Sequence, residues 1–214
     1  MECFGSALAS VVTYAGRLAT TGVERGLIGP AEVPRLWQRH LLNCAVLAPL
    51  VPPRCHVVDV GAGAGLPGIV LALQRRDLQV TLVEPLLRRA TFLAEVVAEL
   101  DLARVQVRRA RAEDLVGDLA ADVAVARAVA PLDRLAGWTL PLVRPGGMVL
   151  ALKGEGAGAE LAAADRVLRR LGAHAEILVR EVGGEPTRVV RLTRGSAEPR
   201  RLSHEEDRWS EEAR

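Results

Sequence analysis

The spacing of apolar residues divides the chain into a helical first part and a longer part in which strands and helices alternate. Within residues 1–54, apolar positions recur near helical spacing at Leu8, Val11 and Leu18 and again at Leu36 and Leu41, which predicts an N-terminal helical cap. In residues 55–194, helical patterns, the clearest at 87–100, lie between short β-rich runs at 56–60, 80–84, 105–109, 122–126 and 148–153. This alternation predicts an α/β domain with a mostly parallel sheet.

The end of the second part departs from that alternation. A helical pattern at 160–171 leads to two β-rich runs, 175–182 and 187–193, that are joined through two glycines and a proline. Because a parallel pair needs a longer crossover, these two strands are predicted to be antiparallel. A parallel sheet that ends in such a hairpin is typical of Rossmann-like methyltransferases, whereas dinucleotide-binding folds tend to finish parallel. The charged residues 195–214 are predicted to be a disordered tail.

Composition restricts the remaining possibilities. At 214 residues, half of them apolar, the chain can bury one main core, and its net charge of +2 is weak evidence for a nucleic-acid partner. Three cysteines without C-x-x-C spacing predict neither disulfides nor a metal site, and they favour the cytoplasm. The most apolar stretch, 57–73, contains an aspartate, four glycines and a proline, so no membrane span is predicted.

The strongest motif is the sequence VVDVGAGAGLPG at 57–68, where an apolar strand runs into a glycine-rich turn that opens a helix. Glycines in such a turn let the backbone approach a ligand closely. The spacing of Gly63, Gly65 and Gly68 also fits a dinucleotide motif, and a turn used only for packing is a further alternative. Asp59 suits a ligand with an ammonium group, and Pro67 removes a donor that a pyrophosphate would use. S-adenosylmethionine is therefore the favoured cofactor, with Glu84 placed to accept hydrogen bonds from its ribose.

Lys153 stands out because every other one of the 28 basic residues is an arginine. It lies at the end of the fifth predicted strand, at the edge of the sheet where ligands bind, as does Arg127 after the fourth. An ammonium is a compact point charge and fits where a planar guanidinium does not. Lys153 and Arg127 are therefore candidate catalytic residues that align the substrate. Two alternatives stay open: that the single lysine has been retained by chance, and that Arg127 has only a structural role.

In order and spacing, the glycine loop and five further motifs closely resemble the glucose-inhibited division protein B family: RLWQRHLLN at 35–43, EPLLRR at 84–89, RAE at 111–113, ARA at 126–128 and LKG at 152–154. The resemblance covers about residues 15–190 and implies a class I S-adenosylmethionine methyltransferase that modifies N7 of guanine 527 in 16S rRNA. Many members have Asp at the position of Asn43 and Ser at that of Ala126. Asn43 and Ala126 lack that carboxylate and that hydroxyl, although an asparagine can form a neutral hydrogen bond in place of the carboxylate.

Carried over by position, the resemblance implies that the cofactor is lined by Gly61, Gly63, Gly65 and Leu66, and that its adenine lies between Ala112 and Glu113. It also implies that Arg127 lies at the boundary between cofactor and substrate. Glu113 could equally be a solvated acid at a helix start. RNA contacts are predicted for Arg39, His40, Arg88 and Arg89, within a basic surface that also takes in Arg17, Arg25 and Arg35. A packed or exposed His40 without function is an alternative.

The chemistry implied by the resemblance needs no general base, because guanine N7 is an unprotonated acceptor near neutral pH. Alignment and proximity would then carry the catalysis. The expected partner is 16S rRNA or the small ribosomal subunit, and the protein is expected to be a monomer. Three other functions stay open: a methyltransferase for a small molecule or another RNA, a nicotinamide-dependent oxidoreductase, and a non-catalytic ribosome-binding protein.

Overall fold

A computed structural model describes residues 2–196 of the chain. Its seven strands are β1 (His56–Val60), β2 (Gln79–Val83), β3 (Val105–Arg108), β4 (Ala121–Arg127), β5 (Val143–Lys153), β6 (Ala173–Val182) and β7 (Glu185–Arg194). They form one sheet in the order β3-β2-β1-β4-β5-β7-β6. The first five strands pair in parallel, and β7 is antiparallel to both β5 and β6. The predicted α/β sheet with an antiparallel terminal hairpin is therefore confirmed.

Strand β5 begins well before the start that its sequence pattern predicts. β5 starts at Val143 rather than at 148, although the residues between include a proline and two glycines, which favour a turn. Val143 pairs with Ala121 of β4, and the register shifts before the next pair. The guanidinium of Arg144 also contacts Asp122, with 2.7 Å between Nε and Oδ1. Pairing with β4 and this ion pair hold the early part of β5 against the sheet.

The α-helices are α1 (Leu8–Arg17), α2 (Asn43–Ala45), α3 (Gly68–Gln74), α4 (Leu87–Glu99), α5 (Leu132–Thr139) and α6 (Ala157–Arg170). In the cap, α1 continues into a π-helical turn at Leu18–Gly22, and α2 follows a π-helical segment at Leu36–Leu42. Short 3-10 turns lie at Glu2–Ala7, Pro30–Arg35, Ala48–Leu50, Glu113–Leu115 and Leu140–Leu142. The predicted helical cap is thus made of several short helical pieces, and its prolines at 30, 34 and 49 lie in two of the 3-10 turns.

Alternate residues of the strands enter two hydrophobic cores, one on each face of the sheet. Val57 of β1 packs with α3, α4 and cap residues such as Tyr14 and Leu41, whereas Val58 packs with α5 and α6 on the opposite face. The cap therefore shares a continuous core with one face of the sheet. The division at residue 54 into a cap and a separate methyltransferase domain stays a prediction, and the predicted tail lies almost wholly outside the described residues.

None of the helices within residues 2–196 is long and apolar enough to cross a membrane.

Candidate active site

The carboxyl ends of the parallel strands surround a cavity of about 560 Å³. Its walls include the glycine loop after β1, Glu84 and the residues that follow β2, residues 110–113 after β3, residues 127–129 after β4, and residues 27, 28 and 40 of the cap. The carboxyl edge of an open parallel sheet is where such folds bind their ligands, and the volume suits a molecule of nucleoside size. Of the predicted cofactor residues, seven line this cavity: Gly61, Gly63, Leu66, Glu84, Ala112, Glu113 and Arg127.

The glycine loop presents backbone, and no side chain, to the cavity at Gly63. This residue has φ +59°, and a methyl group built on it would meet only the Gly61 carbonyl oxygen, at 3.7 Å. Gly65 differs, because a methyl group there would lie 2.5 Å from Cγ1 of Ile69 and 2.8 Å from the hydroxyl oxygen of Tyr14. Gly63 therefore leaves room on the ligand side of the loop, whereas Gly65, which does not line the cavity, is needed for packing.

Asp59 lies beneath the glycine loop and does not line the cavity. Its side chain is completely buried, and Oδ2 accepts a hydrogen bond from the backbone N–H of Gly68, at 2.8 Å. Among the described residues, Oδ1 has no hydrogen-bond partner. Burial raises the pKa of Asp59 to about 7, and the Gly68 bond opposes that rise. The carboxyl thus anchors the start of α3, and its predicted contact with an ammonium group stays a prediction.

Glu84 lies at the cavity wall just after β2, with 2% of its surface exposed. Its carboxylate accepts one hydrogen bond from the Gly63 N–H, 3.0 Å from Oε2, and another from the Leu86 N–H, 2.9 Å from Oε1. Two backbone donors fix the carboxylate and leave lone pairs on each oxygen. Glu84 is therefore a rigid acceptor for hydroxyl groups, and it also ties the two loops of the wall together.

A second cavity, of about 960 Å³, lies on the other side of residues 127–129. Both cavities are lined by Arg127, Ala128 and Val129, so these three residues form a shared wall. Ala128 has φ +53°, a left-handed conformation that costs a residue with a side chain about 1 to 2 kcal/mol. The second cavity is also lined by Asn43, whose Nδ2 donates to the Thr187 hydroxyl, at 2.8 Å.

Arg127 reaches from the end of β4 to the cap. Its Nη2 lies 2.7 Å from Nδ1 of His40, and its Nη1 lies 3.3 Å from the His40 carbonyl oxygen and 3.4 Å from Sγ of Cys44. Within residues 2–196, no carboxylate forms an ion pair with Arg127. The guanidinium is therefore held at the boundary of the two cavities with its charge unneutralised by a direct partner.

Lys153 lines the second cavity only, and its ammonium group is already engaged. Nζ lies 2.7 Å from the Ala130 carbonyl oxygen and 2.7 Å from Oε2 of Glu160, and the side chain is 8% exposed. Glu160 Oε2 also accepts from the Leu132 N–H, at 3.0 Å. The ion pair therefore fixes the loop that carries the shared wall into α5. A direct contact of Lys153 with substrate stays a prediction.

The residues predicted to contact RNA differ in how they are held. His40 bridges Glu32 and Arg127, with its Nε2 2.9 Å from Oε2 of Glu32. Arg39 lies 3.4 Å from the same carboxylate, and Arg89 Nη1 lies 3.8 Å from Glu84 Oε2. Arg88 is exposed and forms no ion pair with any described residue.

Two other arginines of the predicted basic surface are not free. Arg17 and Arg25 both contact Oε2 of Glu95 in α4, at 3.4 and 2.9 Å, and Arg17 also contacts Glu99, at 3.0 Å. These ion pairs join the cap to α4. They withdraw much of the positive charge that the sequence suggests on this side of the cap.

Three residues near the cavities have no distinguishing signal in the sequence: Tyr14, Glu32 and Glu160. Tyr14 contacts the glycine loop, Glu32 contacts His40, and Glu160 contacts Lys153. Each is an ordinary residue of a helical segment, and its partner lies on another element.

Residues 2–196 contain no cluster of three or more His, Cys, Asp or Glu side chains able to hold a metal ion.

Solved structures share this fold at low sequence identity. A putative O-methyltransferase from Klebsiella pneumoniae superimposes with a TM-score of 0.60, at 17% identity, over 86% of this chain and 90% of that one. A SAM-dependent O-methyltransferase from Thermotoga maritima gives a TM-score of 0.58, at 12% identity, over 78% and 71% of the two chains. The fold and the position of the cavity at the carboxyl edge match the class I methyltransferase fold.

The sequence places the chain within that class. The family model of rRNA small subunit methyltransferase G matches residues 7–186. A protein of that name from Thermobifida fusca is 55% identical over 90% of this chain and 82% of its own, and one from Streptomyces coelicolor is 61% identical over 80% and 72%. The chain belongs to the rRNA small subunit methyltransferase G family, and the resemblance to the glucose-inhibited division protein B family is confirmed.

Proposed function

We propose that this enzyme transfers a methyl group from S-adenosylmethionine to N7 of a guanine in 16S rRNA, at the position that the family modifies, guanine 527. The observation that carries this proposal is the pair of cavities with one shared wall. One cavity holds the cofactor, the other receives the target nucleotide, and the reacting atoms meet beside Arg127.

The first cavity fits S-adenosylmethionine. Gly63 leaves space for the ligand next to the backbone, and the fixed carboxylate of Glu84 is suited to the ribose hydroxyls. Leu66 and Ala112 supply apolar surface, and Glu113 lies at the exposed rim. S-adenosylmethionine would supply a methyl group on a positively charged sulfur. Asp59 contributes from beneath, by holding the loop through Gly68.

The second cavity fits a nucleotide that has left its base stack. It is polar, since Arg39, Asn43, Lys153 and Thr187 are among its lining residues. RNA is read most readily where bases are unstacked, because side chains cannot read the deep groove of an A-form helix. Extruding a base costs a few kcal/mol, about the free energy that a few new hydrogen bonds and phosphate contacts return.

The residues at the shared wall act by alignment. Bound S-adenosylmethionine would supply its methyl group directly to guanine N7, with the sulfur left as a neutral thioether and no proton to transfer, so the wall has only to orient the two reactants. An arginine that donates to N7 would occupy the attacking lone pair. Arg127 therefore acts on a phosphate, on O6 or on the cofactor, and Lys153 keeps the wall in place through Ala130 and Glu160.

The cellular setting follows from the substrate. The partner is 16S rRNA or the small ribosomal subunit, the place of action is the cytoplasm, and one copy of the chain contains both cavities, so a monomer suffices. Arg89, which lines the first cavity, its exposed neighbour Arg88, and Arg39, which lines the second cavity, provide phosphate contacts.

One observation favours a methyltransferase with a smaller substrate. Arg17 and Arg25 are paired with Glu95, so part of the expected basic surface is neutralised. One experiment separates rRNA methylation from methylation of a smaller substrate. Mass-spectrometric mapping of rRNA from cells with and without the gene should reveal N7-methylguanine that depends on the gene, and the purified enzyme should restore it on deficient subunits. An rRNA modification pattern that is identical in both cells would overturn the proposal.

A further inference from the structure

The contact between His40 and Arg127 determines which nitrogen of the imidazole carries the proton. A guanidinium can only donate hydrogen bonds, so Nδ1 of His40, 2.7 Å from Arg127 Nη2, must be the acceptor. The proton of the neutral ring is then on Nε2, which donates to Oε2 of Glu32 across 2.9 Å. Glu32, His40 and Arg127 thus form one directional chain of hydrogen bonds from the cap to the shared wall of the cavities.

A protonated His40 cannot take part in this chain, because both of its nitrogens would then be donors. The charged groups that face the ring are Glu32, Arg39 and Arg127. Burial and the positive charge of Arg127 lower the pKa of His40, and the Glu32 carboxylate opposes that shift only in part. The ring is accordingly neutral at physiological pH, and Arg127 has an acceptor beside it that does not cancel its charge.

The geometry also decides which edge of Arg127 is available. Nη1 and Nη2 both bind His40, one at the carbonyl oxygen and the other at the ring, so the terminal edge of the guanidinium faces the cap. The other paired edge consists of Nε–H and the second Nη2–H. Within residues 2–196 no acceptor takes either of these donors. This edge is the one that can bind an anionic group bidentately.

We infer that His40, supported by Glu32, is a positioning residue that acts through Arg127, and not itself a contact to RNA. It turns the free edge of Arg127 toward the reacting groups and leaves the full positive charge on it. A carboxylate in the same place would orient the arginine equally well but would neutralise it. The inference rests on the proposed function for its activity readout, and its proton assignment does not depend on that function.

Two substitutions of His40 distinguish the contact that Nδ1 makes with Arg127 from the contact that Nε2 makes with Glu32. Asparagine places its amide near the position of Nδ1 and can offer its oxygen to Arg127, whereas glutamine places its amide near Nε2, where it reaches Glu32 only. His40→Asn should keep kcat/KM for rRNA methylation within about threefold of wild type, and His40→Gln should lower it about tenfold or more. Equal losses in both variants would overturn the inference.

A double-mutant cycle tests whether His40 acts through Arg127. In an Arg127→Ala background, His40→Gln should cost less than about twofold, because the group it positions is gone. A tenfold loss in that background would show an independent role and overturn the inference. Denaturation curves for each variant confirm that folded enzyme is compared.

The proton assignment is tested on wild-type enzyme without any reaction. Nitrogen-15 NMR of the imidazole rings at pH 7.5, with the His40 signals assigned through His40→Asn, should show Nε2 protonated and Nδ1 unprotonated. The opposite tautomer or a charged ring would overturn the inference even if the enzyme methylates rRNA. Wild-type enzyme that shows the expected tautomer but does not modify rRNA would instead contradict the proposed function.

Discussion

The hydroxyl of Tyr14, in the first helix of the cap, donates a hydrogen bond of 2.8 Å to the carbonyl oxygen of Ala64 in the glycine loop. Tyr14 is completely buried, and burial raises its pKa well above 10.0, so the hydroxyl stays protonated and keeps donating. Through this bond the cap supports the loop that lines the cofactor cavity. The position of the glycine loop in the cofactor site therefore depends on this connection to the cap.

Tyr14→Phe should weaken cofactor binding. The substitution leaves the buried carbonyl oxygen of Ala64 without its donor, at a cost of about 1 to 3 kcal/mol, and loosens the loop. Calorimetry should show a lower affinity for S-adenosylmethionine in a protein that still folds. Thr13→Val is the matched control, because that exposed hydroxyl bonds only within its own helix, to Ala9. The same affinity in Tyr14→Phe and wild type would contradict this connection.

Gly63→Val should abolish binding of S-adenosylmethionine, because the side chain would fill space on the ligand side of the loop. The positive φ of Gly63 adds strain, so strain alone must be excluded. Gly117→Val is the control, since Gly117 has φ +93°, open space around it and no contact with either cavity. Calorimetry should show binding in the Gly117 variant and none in the Gly63 variant. Unchanged binding in both would place the cofactor elsewhere.

Arg39, Arg88 and Arg89 should each contribute to the salt dependence of RNA binding. Replacing one phosphate contact by alanine should reduce the magnitude of the slope of log K against log salt by roughly 0.7 to 0.9. We expect the clearest effect for Arg88, which forms no ion pair with the described residues, and a smaller one for Arg39, which must leave Glu32. Arg169→Ala is the control, because this residue of α6 lines neither cavity. An unchanged slope in all three variants would place the RNA surface elsewhere.

Lys153→Arg should lower methylation about tenfold or more, although it keeps the positive charge. Nζ fits between two oxygens at 2.7 Å in a nearly buried position, and a planar guanidinium cannot reproduce that geometry. The shared wall would shift as a result. Steady-state kinetics and denaturation curves should separate lost activity from lost stability, with Glu160→Gln as the partner variant that weakens the same contact. Full activity in Lys153→Arg would mean that any cation serves at this position.

The stability of wild-type protein should fall relative to Asp59→Asn as the pH rises from about 4 to about 7. The folded pKa of Asp59, about 7, is above its value of 3.8 in an unfolded chain, so the folded state binds more protons in this window. Below pH 4 both states are protonated and above pH 7 both are ionised, so the difference should be constant outside the window. Urea unfolding curves of both proteins at several pH values measure this difference in the free energy of unfolding. A difference that does not change with pH would contradict the raised pKa.

Local sequence determined most of the fold. Strand alternation, the glycine loop and the short hairpin connection are set by the residues that adopt them, since periodicity and turn residues act within a few positions. The same locality explains why the glycine loop and Glu84 were predicted at the ligand edge, because the ends of parallel strands meet there. The early start of β5 depends on pairing with β4, and the division of the cap into short helical pieces was not predicted from local sequence either.

The tertiary structure alone decided how the side chains of the site are used. His40 and Arg127 are 87 positions apart in the sequence, and Tyr14 and Ala64 are 50 positions apart. No local pattern encodes contacts over such distances. Asp59 could be placed at the end of a strand from sequence, but its burial beneath the loop depends on how α3 packs on the sheet. Sequence specifies the elements through short-range propensities, and long-range packing determines which polar groups are left free to bind a ligand.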